Sequence, residues 1–149
     1  MTREPIFILA LAVMGSGGAG YATGSPASGW AHAGNTHNSA IFVDRAVLSQ
    51  AGDERPFRTL HINTQPQSGW QRAEHRATIS CAAATVQYGD VDLSRADGKV
   101  EAQQSALGRA VAFPRRGVLS KLFTAICAGK LGPPVADPLR WTRANFRPG

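Results

Sequence analysis

Residues 6–24, Ile6 through Gly24, read IFILALAVMGSGGAGYATG. Within this stretch Gly15-Ser16-Gly17-Gly18-Ala19-Gly20 spells G-x-G-x-x-G behind an apolar run. Taken as a dinucleotide-binding loop, it would open a doubly wound parallel sheet. That loop needs a helix directly after the glycines, because the helix N-terminus holds the pyrophosphate through free N–H groups and its dipole. The chain continues YATGSPASGWAHAGNTHN, with Gly24, Pro26, Gly29 and Gly34 close together. Each Gly costs about 1 kcal/mol against Ala in a helix, and an interior Pro about 3. No helix of useful length forms there. Asp44 ends a strand-like run, AIFVD over residues 40–44, where a ribose-binding acid would stand. Without the crossover helix the unit is not βαβ, and a parallel dinucleotide fold is not expected.

The same residues fit a cleavable export signal. Arg3 lies in the head, Glu4 offsets it, and the apolar run at residues 6–14 is nine residues long. An h-region takes about 7–15 apolar residues, and a bilayer span about 20. Small residues follow, and Gly20-Tyr21-Ala22 places cleavage after Ala22, with Ala19 and Ala27 as alternative sites. The competing reading is a buried N-terminal strand. No Cys stands near the cleavage region, so a lipoprotein is not expected. The expectation is a signal peptide at 1–22 and an exported chain, periplasmic or at the cell surface, with no transmembrane segment after cleavage.

Cleavage there leaves 127 residues, one domain with a modest core. The charge is uneven. Residues 23–108 hold seven Lys/Arg and eight Asp/Glu, whereas residues 109–149 hold eight Lys/Arg and only Asp137. The C-terminal 41 residues thus carry a net +7. Such a region attracts anionic polymers or envelope surfaces, or it serves solubility alone. Thirteen of the sixteen basic residues are Arg, the side chain suited to planar bidentate contacts. Two cysteines are present, Cys81 and Cys127. In an exported chain a lone pair forms one disulfide; two buried free thiols are the alternative.

Strand patterns dominate the middle of the chain. Residues 40–44 form the first, after a Gly/Ser/Asn/His-rich segment at 23–39 that reads as flexible. Residues 50–56 (QAGDERP) are turn chemistry. FRTLHINT at 57–64 alternates, with Arg58, Leu60, Ile62 and Thr64 on one face and Phe57, Thr59, His61 and Asn63 on the other. Further strands follow at 74–83, at 85–93 with Gly89 as a bulge or bend, and at 99–103 after the Asp97-Gly98 turn. After Phe113-Pro114 the period changes. Val118, Leu119, Leu122, Phe123, Ile126 and Cys127 recur at helical spacing, Gly129 suits the C-terminal cap, and Pro133-Pro134 stops continuation. Residues 131–149 hold four prolines and Arg140, Arg143 and Arg147, and read as an extended, loosely attached basic tail. The expected architecture is α+β: an antiparallel sheet of five or six strands with one C-terminal helix packed on a face, the domain spanning 40–130.

This layout resembles the surface-adhesin protein E-like family of small exported bacterial domains. The resemblance rests on Trp30, on Phe42-Val43-Asp44 before a polar turn, on Ile79-Ser80-Cys81, and on Ile126-Cys127 at a helix end. It covers residues 30–129, and it implies a sheet with a terminal helix. The best-known members are lipid-anchored adhesins that bind host proteins. This chain carries Ser80 where an Asp is more usual, and it lacks the lipid-anchoring Cys.

Catalytic signals are sparse. No Ser stands in G-x-S-x-G, and Asp90 and Asp92 read as a polar strand edge. His32 and His37 lie outside usual zinc spacings; a metal site would need His61 and another ligand to converge. No cofactor, metal or nucleic-acid partner is expected. The candidate ligand-binding residues are Arg109, Arg115 and Arg116 before the helix, and Arg140, Trp141, Arg143 and Arg147 in the tail, where cations interleave with aromatics. The expected function is a non-enzymatic binding domain for a protein or anionic envelope ligand. A small periplasmic enzyme or metal-binding protein using the His and acidic residues is the alternative.

Overall fold

The computed structural model describes residues 29–65, 69–104 and 108–149, without the side chains of 102–104. The expected signal peptide at 1–22 lies outside the described residues. Strands β1 (Trp30–Asn35) and β2 (Ser39–Asp44) lead into a short 3-10 helix (Arg45–Ser49). Then come β3 (Glu54–Asn63), β4 (Arg72–Ser80), β5 (Thr85–Ser94), β6 (Val100–Gln104) and β7 (Val111–Ala112). Helix α1 (Val118–Cys127), β8 (Pro134–Val135) and helix α2 (Pro138–Asn145) complete the chain. All strands join one antiparallel sheet in the order β6-β5-β4-β3-β2-β1-β8, with β7 beside β5.

The α+β class stands as expected, but among the described residues the sheet has eight strands rather than five or six, and a second helix is present. Each addition falls where no regular structure was expected. Trp30–Asn35 is a strand within the segment read as flexible. Its small residues permit a close approach: Gly34 has φ +147, and any Cβ there would collide with the Val118 side chain of α1. The residue that looks like a loop signal is therefore a packing device. The tail is also not loose. The Asp137 side chain accepts the Arg140 N–H at 3.0 Å, and Pro138 occupies the first turn, so α2 begins with a complete N-terminal signal. Pro138 is one of the four prolines of the segment read as extended, yet at this position it starts a helix.

The alternation of β3 sets the layers. On one face Phe57 joins Val43, Ala77, Ile79 and Val86 against Leu122, Phe123 and Ile126 of α1. On the other, Leu60 and Ile62 join Ala40 and Phe42 against Leu139, Trp141 and Phe146. Both faces of the sheet are thus covered by a helix. This is why β2 is almost wholly buried instead of alternating. The single helix expected on a face is α1, and α2 on the opposite face is the correction.

Local signals account for the remaining boundaries. β3 begins at Glu54, inside the expected turn, and carries Pro56. The Pro56 carbonyl accepts from the Gln50 side chain at 2.7 Å, on the side beyond the end of β2, so no ladder bond is lost to the missing N–H. The register of β4 and β5 shifts between His75 and Ala77, which sets the expected bulge at Gly89 opposite Arg76. Helix α1 ends as expected at Gly129, with φ +67. The N–H groups of Gly129 and Lys130 bond the carbonyls of Ile126 and Ala125 at 3.0 and 2.9 Å. Cys81 and Cys127 are joined as a disulfide with Cα atoms 5.6 Å apart, tying the end of α1 to the turn after β4. Among the described residues no helix is long and apolar enough to cross a membrane.

Candidate functional site

The helices run in opposite directions along the sheet, and this decides where the C-terminal arginines lie. Helix α1 starts against Gly34 near the end of β1, so Arg115 and Arg116 stand just before that contact. Helix α2 starts near Trp30, which pairs with Val135, and ends toward Asn35. The Asn35 side-chain amide donates to the Arg147 carbonyl at 2.7 Å, and the Gly149 N–H donates to the Thr36 carbonyl at 3.3 Å. Arg143 borders a shallow hollow with Asn63, Thr64 and Gln71 at the same sheet end.

The fold therefore gathers Arg115, Arg116, Arg143 and Arg147 around the β1–β2 turn, from both sides of the sheet. All four are exposed, and none pairs with a carboxylate among the described residues. The other candidates are not brought there. Arg109 precedes β7, which pairs with Thr85 and Val86 at the far end of β5. Arg140 sits in the first turn of α2. The Trp141 ring packs inward, 4.2 Å from His32 and 5.5 Å from Phe42, so it anchors α2 rather than facing a ligand.

Arginines in the middle of the sheet are committed. Arg58 bonds Asp44 and, at 2.9 Å, Glu74, and it lies 5.5 Å over the Trp30 ring. The two carboxylates raise its already high proton affinity. Arg76 pairs with Asp92 at 2.7 Å. Asp44, Arg58 and Arg76 of these pairs border an open hollow of about 560 Å³.

A second site lies under α1. His61 of β3 and His75 of β4 are diagonal neighbours in register, with ring centroids 4.5 Å apart. With Thr59 and Tyr88 they form the polar part of a cleft of about 330 Å³. Its walls are carbon, mainly Phe57, Leu119 and Phe123. Burial, and then the neighbouring His75, push His61 down from 6.5 to about 4; burial also lowers His75. Burial raises the Tyr88 phenol. His61 does converge with another potential ligand, as a metal site would require, but no third His, Cys, Asp or Glu joins them among the described residues. The pattern of β3 already put His61 on the α1 face. The pairing that brings His75 beside it is a property of register, so the sequence pattern singled out His61 without its partner.

Between pH 6.5 and about 4 the unfolded chain binds a proton at His61 that the folded chain refuses. Stability is full above this window and falls as pH drops through it. The loss is about 3 kcal/mol for His61, and His75 adds in the same direction. Urea unfolding across the window should show His61→Gln with a shallower decline than the parent. Parallel declines would assign the titration elsewhere.

The fold and these two sites define a three-layer α+β domain with a basic sheet end and a neutral cleft. Comparison with known protein families, curated proteins and solved structures finds no significant match to this chain.

Proposed function

We propose that this chain is an exported, non-enzymatic binding domain, similar to surface-adhesin protein E, that docks on an anionic polymer or protein surface. The observation that carries the reading is the gathering of Arg115, Arg116, Arg143 and Arg147 around the β1–β2 turn without carboxylate partners among the described residues. Guanidinium groups on a rigid sheet end hold sulfate, phosphate or carboxylate groups by paired hydrogen bonds. The net +7 of residues 109–149 adds long-range attraction for such a partner.

Deleting residues 131–149 would not isolate this property, because Trp141 and Phe146 pack on Phe42, Leu60 and Ile62. Charge reversal leaves the core intact. The variant with Arg115, Arg116, Arg143 and Arg147 each replaced by Glu should bind heparin, as a soluble polyanion, at least about tenfold more weakly. Its binding should also respond less steeply to salt. Unchanged affinity and salt response, with an unchanged melting curve, would assign these arginines to solubility.

A further inference from the structure

We propose that the cleft under α1 binds a small neutral aromatic molecule with one hydroxyl or amide group. Its ring would lie between Leu119 and the Phe57–Phe123 wall, and its polar group against the His61–His75 pair. This site is separate from the basic sheet end and does not depend on it.

Three features set the ligand class. The first is size. At about 330 Å³ the cleft sits at the small end of ligand sites, which run from about 300 to 1,000 Å³. The second is the wall. Phe57 and Phe123 meet edge to face at 6.0 Å, and Phe113 lies 5.0 Å from Phe123 on the side of the core, so the aromatic wall is rigid. A planar ring meets such a wall by stacking or by edge contact.

The third is charge. No carboxylate, Lys or Arg is among the residues lining the cleft. A charged ligand would be desolvated there without a counter-ion. The imidazoles supply none, since burial keeps both in the neutral form near neutral pH. In that form each ring carries one N–H and one lone pair, so a ring nitrogen not engaged by Thr59 can meet a head group that donates or one that accepts. The Thr59 hydroxyl stands 3.4 Å from His61 Nε2 and, as donor or acceptor, accommodates either tautomer of that ring. Packing alone would be served by apolar residues at these two positions, whereas paired neutral imidazoles in a carbon-lined cleft orient a polar group.

The test uses the full chain and two probes with the same ring system, 2-naphthol and 2-naphthoate. Near neutral pH, calorimetric titration should give saturable 2-naphthol binding at least about tenfold tighter than that of 2-naphthoate. The imidazole proton resonances of His61 and His75 should shift with the same saturation curve. Leu119→Trp fills the cleft and should weaken 2-naphthol binding by about tenfold or more. Val91→Phe, from the β5 side of the same cleft, serves the same purpose if the first variant fails to fold. The Arg143→Glu/Arg147→Glu variant should bind 2-naphthol like the parent, so failure of the polyanion reading leaves this result intact. The proposal is overturned by absence of saturable binding, by equal affinity for both probes, or by full binding in a folded cleft-filling variant.

Discussion

Replacing Phe123 by Ala should lower the unfolding free energy by about 3–5 kcal/mol, the range for removing a buried aromatic ring from a core. Phe123 is 1 % exposed and sits where α1 meets the sheet, 6.0 Å from Phe57 and 5.0 Å from Phe113. A helix of ten residues is marginal alone, so α1 persists because this face is docked. Truncation removes the ring's transfer energy and leaves a space that the flanking rings fill only in part. Trp141→Ala, which takes a half-buried ring from the opposite face, should cost less. Urea denaturation of both variants checks the order. A Phe123→Ala change under about 1 kcal/mol would mean that α1 does not hold the sheet.

Loss of the Cys81–Cys127 bond should cost about 2–5 kcal/mol, as in other small disulfide-bonded domains. The bond closes a loop with a sequence separation of 46, for which the chain-entropy account assigns about 4 kcal/mol. That is large beside a typical total of about 5–15 kcal/mol. Its position adds a local effect, because it pins the last turn of α1 to the turn after β4. Cys81→Ser, Cys127→Ser and the double variant should unfold at nearly the same urea concentration, since each removes the same bond. Near-additive losses, or full thiol labelling of the folded parent under oxidising conditions, would show two independent thiols instead.

These two residues belong to the part of the fold that was readable in advance. The spacing of Val118, Leu119, Leu122, Phe123 and Ile126 announces α1, and Gly129 announces its end, because both signals are local and act within one or two turns. The alternation of β3 assigned Leu60 and Ile62 to one face and Phe57 and His61 to the other. Misread elements share a different cause. Gly34 and Pro138 are punctuation in a linear reading. Gly34 acquires its role only when Val118 approaches it, and Pro138 when Asp137 caps the helix it begins.

The candidate sites divide in the same way. The excess of Arg after residue 108 is a fact of composition and needed no coordinates. Which of those arginines act together is a matter of helix direction. Arg115 and Arg116 share a sheet end with Arg143 and Arg147 because α1 begins, and α2 ends, there, while Arg109 and Arg140 are carried away. Trp141, grouped with the cations by its place in the chain, turns inward because the apolar surface of Phe42, Leu60 and Ile62 must be covered. His61 and His75 are 14 positions apart in the chain and become neighbours only through the β3–β4 register. Local pattern therefore reached β2 to β6, one helix, the cysteine pair and the charge bias, which depend on neighbours within a few residues. Partnership across strands and between layers, on which both sites depend, arose only when distant segments buried their apolar faces together.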